Sequence, residues 1–462
     1  MDRLNHKITG LSCSKEKSNK VGSYFIPQKN VYISNYGCQM NVNDTERMYS
    51  LLEMINYAPA VSPDQAQLII INSCSVREKP VHKVRSEVGR YCPLKKKNPQ
   101  LKIGVAGCVA QQEKKKLLKD IPLLDFVFGP DAIDDLPHIV SRLEHGENNI
   151  VEARFTHSQP YHVQTLIRDT QVSAFVNITK GCDNFCTFCV VPFTRGRERS
   201  RPLNHVCEDV QNLVKRGVKE VTLLGQNVNS YRSDCGATFA CLLLALCEKT
   251  DIKRIRFTSP HPKDFNEELM EIIQSRRDKI MSAIHLPAQS GNSRILEQMN
   301  RGYTREEYIE KADMILDKMP GAVLSTDLIV GFPGETEEDF QDTLSLLDKV
   351  PFEMIYSFKY SPRPFTKAAR FDNPVSEKEK SHRLARLNQK HNQFAFSRSQ
   401  KYKNQVLEVL VEKKDGKVGY LSGRSCQNKL VHFQGSAHLK GKIVSVKINK
   451  TYPQVLYGEL LF

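Results

Sequence analysis

Short apolar runs alternate along most of this chain with stretches in which apolar residues recur every three or four positions. Runs at 31–37, 68–73, 103–107 and 125–129 read as strands. Helical patterns follow them: one with Met48, Leu51, Leu52 and Ile55 on a single face, capped by Asn43 or Asp44, one after Cys74, one over 111–119 and one over 131–143. Strands alternating with helices predict a doubly wound parallel sheet. The alternation pauses over 144–168, which reads as a connection, and resumes with runs at 174–178, 220–224, 254–258, 280–285, 323–330 and 354–360. Five helical stretches lie between these runs. Six βα units fall short of the eight of a closed barrel, so a partial (βα)6 barrel is expected, with its chemistry at the carboxyl ends of the strands. A charged helix over 377–398 leads to a segment where the period drops to two. Runs at 406–411, 418–421, 430–433, 443–448 and 456–461 between glycine turns predict a small β-barrel. The α/β architecture thus divides into an extension over 1–28, expected to be loosely ordered, an amino-terminal domain over 29–147, a core over 168–398 and a β-barrel over 401–462.

The cysteines fall on this pattern in two sets of three. Cys182, Cys186 and Cys189 stand at C-x3-C-x2-C spacing just after the first barrel strand. Three thiolates so close in sequence can surround one metal centre, and a 4Fe–4S cube bound by three of them keeps an open iron. A zinc knot would need a second ligand pair, which the sequence does not offer downstream. Cys38, Cys74 and Cys108 each lie just past a strand, beside Gly37, Ser73 and Gly107. Parallel strands present their carboxyl ends along one edge, so these three should meet in space. Three buried core cysteines are the bland alternative. Cys13 and Cys92 read as incidental, and Cys207, Cys235, Cys241 and Cys247 as fillers.

Charge and composition narrow the setting. The chain has 462 residues, a formal net charge of +15 and no apolar run long enough to span a membrane. Its Lys-rich start lacks the apolar centre of a signal peptide, and thirteen cysteines without an export signal point to a reducing cytoplasm. Residues 401–462 carry ten Lys and one Arg against three Glu and one Asp, a net of +7. A basic β-barrel suits RNA, with a solvated dimerisation barrel as the alternative. Arg195, Arg197, Arg199 and Arg201 follow the cysteine loop and could seat a polynucleotide beside it.

Several segments resemble one group of enzymes closely: Gly37-Cys38-Gln39-Met40-Asn41, Asn72-Ser73-Cys74-Ser75-Val76-Arg77-Glu78, Thr194-Arg195-Gly196, Gly225-Gln226-Asn227-Val228-Asn229, His285-Leu286-Pro287-Ala288-Gln289-Ser290-Gly291 and Asp327-Leu328-Ile329-Val330-Gly331-Phe332-Pro333-Gly334. From about residue 30 onward the chain is similar to the methylthiotransferases, radical S-adenosylmethionine (SAM) enzymes with a three-cysteine amino-terminal domain and a carboxyl-terminal TRAM domain. The resemblance implies two 4Fe–4S clusters. One, on Cys182, Cys186 and Cys189, would bind SAM and release a 5′-deoxyadenosyl radical; the other, on Cys38, Cys74 and Cys108, would carry or supply sulfur. It further implies a tRNA substrate with an isopentenylated adenosine next to the anticodon, a flavodoxin or ferredoxin as electron donor, and a monomer. Phe188, Gln226, Asn227, Gln289 and Asp327 are the expected SAM contacts, by their position in the barrel mouth. Related enzymes modify threonylcarbamoyl-adenosine or a ribosomal-protein aspartate, and a zinc-stabilised RNA-binding protein is the non-catalytic alternative. The chain departs from the family at Ser73, where Thr is usual, and at Phe365 and Lys367, where Gly and Pro are expected.

Overall fold

The computed structural model describes residues 28–75, 78–155, 165, 171–414 and 419–461. The expected extension over 1–28 lies outside the described residues except for Gln28. Six parallel strands form the amino-terminal sheet: β1 (Lys29–Tyr36), β2 (Tyr57–Pro59), β3 (Leu68–Ser73), β4 (Lys102–Gly107), β5 (Phe126–Phe128) and β6 (Ile150–Glu152), in the order β2-β1-β3-β4-β5-β6. The strand β3 is apolar and buried at every position, because helices cover both faces of a doubly wound sheet. Leu68 and Ile70 pack on one side with Met48, Leu52 and Phe126; Ile69 and Ile71 pack on the other with Val84, Val88 and Val109.

Several features differ from the sequence reading. β6 lies in the stretch read as a connection, so this sheet extends to residue 152. Helix α1 (Gln39–Glu53) starts at Cys38 rather than at Asn43 or Asp44, and both of those residues are buried inside it. The helix expected over 111–119 is two, α3 (Cys108–Glu113) and α4 (Lys115–Asp120), divided by Lys114 at φ +49°. Helices α2 (Glu78–Lys97) and α5 (Leu136–Glu144) complete the domain.

The core domain contains the expected six parallel strands. β7 (Ser173–Asn177), β10 (Glu220–Leu224) and β11 (Arg254–Phe257) pair in the order β11-β10-β7, and β8 (Thr179–Lys180) pairs with β9 (Arg199–Ser200) beside them. β12 (Ala283–His285), β13 (Val323–Val330) and β14 (Phe352–Lys359) form the second half. A single bridge, Ile255 to Ile280, joins the halves, and no ladder among the described residues closes β14 onto β7. The result is an open barrel. Its helices are α6 (Val191–Thr194), α7 (Leu203–Lys215), α8 (Phe239–Lys249), α9 (Glu267–Ser275), α10 (Ser293–Gln298), α11 (Arg305–Lys318) and α12 (Glu337–Lys349).

Helix α13 (Glu377–Gln400), capped by Ser376, packs on β14 and leads to a closed five-stranded barrel: β15 (Val406–Lys414), β16 (Tyr420–Ser425), β17 (Leu430–Gln434), β18 (Ile443–Thr451) and β19 (Val455–Leu460). Val409, Val411, Leu421, Phe433, Val446 and Leu456 fill it. Arg254 and Arg256 of β11 donate to backbone carbonyls of this barrel at 2.7–3.2 Å, and Glu353 of β14 accepts from Lys401 and Lys429. Among the described residues no helix is long and apolar enough to cross a membrane.

Candidate active site

β1, β3 and β4 lie side by side with Tyr36 opposite Ser73 and Ser73 opposite Gly107. The residues that follow therefore leave the sheet at one level. Cys38 caps α1, Cys74 follows β3 directly, and Cys108 opens α3. The turn into Cys108 requires glycine. Gly107 has φ +85°, and a Cβ there would stand 2.5 Å from Asn72 Oδ1 and 2.8 Å from the Ser73 carbonyl. A buried amide pair fixes the start of α1: Asn41 Nδ2 donates to Asn72 Oδ1 at 3.0 Å, and Asn72 Nδ2 donates to the Asn41 carbonyl at 2.8 Å. Asn41 Oδ1 in turn accepts from the Cys38 backbone N–H and thiol, both at 3.3 Å.

The three thiols meet as expected from their positions after the strands. The Cys74 thiol stands in hydrogen-bond contact with those of Cys38 and Cys108, and these bonds push its own pKa well up. The same bonds lower Cys38 to about 6 and Cys108 to about 5 against the opposing effect of burial, helped by the positive charge of Arg195. Two of three donors are thus biased toward the thiolate, the form that binds iron. This donor set fits a cluster.

Cys182, Cys186 and Cys189 lie on a loop beyond β7 and β8, at the carboxyl end of the barrel. Residues 298–301 hold this loop from the side. Thr187 donates to the carbonyls of Met299, through N–H at 3.0 Å, and Gln298, through Oγ1 at 2.8 Å. Asn300 Nδ2 donates to the carbonyls of Asn184 and Phe185, and Arg301 Nη1 donates to Cys186 Sγ at 3.3 Å. Burial pushes Cys182 up to about 11 and Cys189 to about 12. These two would ionise on metal binding, since a coordinated thiol loses its proton.

Cys38, Cys74 and Cys108 line one cavity of about 210 Å³ together with Arg195, Gln226 and Ser259 of the barrel. Gln226 joins the two domains: its Oε1 accepts from Gly181 N–H at 2.5 Å, and its Nε2 reaches Met40 Sδ. Of the other expected SAM contacts, Asn227 is buried and donates to Asp264 at 2.8 Å. Phe188 packs beside Met299, Phe332 and Tyr360. Gln289 has φ +74° and pairs by its backbone with Asp327 and Ile329. The Asp327 carboxylate lies 3.6 Å from His285 Nε2.

The arginine segment requires a correction. Arg195 and Arg201 are buried and paired with Asp44 and Asp209, each at 2.9 Å, and Arg199 is paired with Asp131 at 3.0 Å. These three hold domains and loops together and are closed to phosphate; Arg197 alone is exposed, and it pairs with Asp183. Cys235 and Cys241, expected to be fillers, are both exposed. The ion-pair role of Asp44 and the hydrogen bond from Arg301 to Cys186 have no signal in the sequence. Their partners lie 151 and 115 residues away, a separation that no local pattern reports.

Residues 30–129 match the uncharacterised protein family UPF0004, residues 176–347 the radical SAM superfamily and residues 400–461 the TRAM domain. The fold resembles that of the radical SAM methyltransferase TsrM from Kitasatospora setae, with a TM-score of 0.56 and 12% identity over 74% of each chain. Fold and site together define a radical SAM enzyme with a second three-cysteine domain. A tRNA-2-methylthio-N(6)-dimethylallyladenosine synthase of Bdellovibrio bacteriovorus is 59% identical over 94% of this chain and 96% of its own length. The corresponding synthase of Fusobacterium nucleatum is 43% identical over 94% of this chain and 100% of its own. The chain belongs to the tRNA-2-methylthio-N(6)-dimethylallyladenosine synthase family.

Proposed function

We propose that the protein converts N6-isopentenyladenosine, next to the anticodon of tRNA, into its 2-methylthio derivative. In this reading Cys182, Cys186 and Cys189 hold the cluster to which SAM binds, and Cys38, Cys74 and Cys108 hold the second. Bound there, the clusters supply one-electron reduction of SAM and a source of sulfur, chemistry that side chains cannot perform on an aromatic C–H. The chain's own residues do the positioning. Asn300 and Arg301 brace the cysteine loop, and Gln226 ties Gly181 to Met40 across the domain boundary. Arg195 supplies a buried positive charge beside Cys38 and Cys108, which favours anionic sulfur there. Phe188, Gln226, Asn227, Gln289 and Asp327 contact SAM. The basic TRAM barrel holds the tRNA, a flavodoxin or ferredoxin delivers electrons, and the enzyme works as a cytoplasmic monomer.

The observation that carries this reading is the cavity that Cys38, Cys74 and Cys108 share with Gly225, Gln226 and Ser259 of the barrel. Sulfur held on one domain can meet a base held at the mouth of the other only if the two sites open on common space. The test is anaerobic reconstitution followed by reaction with tRNA carrying isopentenyladenosine, read by nucleoside mass spectrometry. The 2-methylthio nucleoside should accumulate. Its absence, with product formed instead on threonylcarbamoyl-adenosine tRNA or a ribosomal protein, would replace the proposal with that reading.

A further inference from the structure

Two aromatic rings stand exposed at the rim of the barrel mouth. Phe193 of α6 is 41% exposed and Phe365, in the loop after β14, is 58% exposed; their centroids are 6.0 Å apart with planes tilted by 39°. Phe365 has φ +70°, a left-handed conformation that a side chain of this size adopts only at a cost. The loop that carries it is firmly seated. Thr366 Oγ1 donates to the Arg363 carbonyl at 2.7 Å, and Ala368 N–H donates to the Thr187 carbonyl, inside the cysteine loop, at 2.8 Å. The strain is therefore held by well-bonded surroundings, and it turns a large apolar side chain toward water.

Position and charge say what such a pair could hold. Val191 and Arg195, two residues to either side of Phe193, line the cavity that Cys38, Cys74 and Cys108 also line. Lys367 and Arg370, two and five residues beyond Phe365, are exposed. Flat apolar rings within a cationic rim are what an unpaired stretch of nucleic acid requires: a face for a base and positive charge for the flanking phosphates. We infer that Phe193 and Phe365 form a stacking ledge for an unpaired base of the RNA substrate, the neighbour of the adenosine that enters the cavity. This rests on the reading of that substrate as RNA.

The test uses the reconstituted enzyme and a synthetic anticodon stem-loop RNA carrying isopentenyladenosine with 2-aminopurine as its 3′ neighbour. Binding to the unaltered enzyme should quench the 2-aminopurine fluorescence. In Phe365→Gly and Phe193→Ala the quenching should be lost and Kd should rise about ten-fold, the loss of roughly one stacked base. SAM cleavage without RNA should be unchanged in both. Phe365→Gly should melt no lower than the parent, because glycine accepts φ +70° without strain. If the unaltered enzyme binds the RNA and both variants bind and quench equally well, the ledge is refuted while the proposed activity stands. Failure of the unaltered enzyme to bind the RNA would refute the substrate reading itself. A defect confined to reduction by flavodoxin, with RNA binding intact, would overturn the inference by assigning the surface to the electron donor.

Discussion

Arg195, carried by the barrel, donates to Asp44 of the amino-terminal domain at 2.9 Å, and both side chains are buried. Around this contact Asn43 accepts from Asn177 Nδ2 at 2.8 Å and donates to the Phe175 carbonyl at 3.0 Å, while Lys180 and Arg199 share Asp131. Helix α1 is thus fastened to the barrel by polar groups withdrawn from water. Removing one partner of a buried pair leaves the other charge uncompensated, so Arg195→Met should destabilise by about 3 kcal/mol. Arg195→Met with Asp44→Leu should recover most of that loss. Additive destabilisation in a denaturant titration of the four proteins would show that the contact contributes nothing of its own.

The two cysteine trios should be separable by iron content. Each cube holds four irons, so the reconstituted chain should bind about eight, and Cys-to-Ala replacement of either trio should leave about four. The variant lacking Cys38, Cys74 and Cys108 should still cleave SAM to 5′-deoxyadenosine but form no methylthio nucleoside. The variant lacking Cys182, Cys186 and Cys189 should do neither. Equal SAM cleavage by both variants would refute the division of roles.

The fold and the meeting of Cys38, Cys74 and Cys108 were legible in the sequence for related reasons. Strand runs such as 68–73 announce themselves because a strand buried on both faces has no polar positions, and parallel pairing then carries Cys38, Cys74 and Cys108 to one edge. β2 and β6, three residues each, are too short to show a period. The start of α1 was misplaced because Asn43 and Asp44 look like caps but serve another domain, with partners more than 130 residues away. Arg195 and Arg199 looked like part of a phosphate seat for the same reason: their carboxylate partners, Asp44 and Asp131, lie 151 and 68 residues away. Charge is visible in a sequence, whereas its neutralisation by tertiary contact is not.

The TRAM barrel is fixed to the core by a few polar contacts that can be cut one at a time. Arg254 is fully buried and donates to the carbonyls of Arg424 and Glu408 at 2.8 and 3.1 Å; Arg256 donates to those of Ser425 and Cys426 and pairs with Glu220 at 3.0 Å. Arg254→Met would strip these carbonyls of their donor at a cost of about 2 kcal/mol. The expected result is weaker tRNA binding and faster proteolysis between α13 and β15, with SAM cleavage unchanged. Unaltered tRNA affinity together with an altered cleavage pattern would mean that docking of the barrel does not govern substrate binding.

Stability should fall on mild acidification, and two buried histidines define the window. Burial, with the positive charges of Arg301 and Lys263 adding to it, lowers the pKa of His261 to about 2. Burial also lowers His391 to about 4, with Arg398 and Lys429 adding to the shift and Glu353 opposing it. Both are neutral in the folded chain, whereas in the unfolded chain they take up protons below about pH 6.5. The unfolded state then binds more protons, so the stability contributed above that pH is lost as pH falls, at up to about 1.4 kcal/mol per pH unit for each histidine. By about pH 5 each should have withdrawn about 2 kcal/mol. His391→Leu removes one titration, so its denaturation midpoint should depend less steeply on pH than the parent's over the same range. Parallel pH profiles for parent and variant would mean that His391 is already charged in the folded protein.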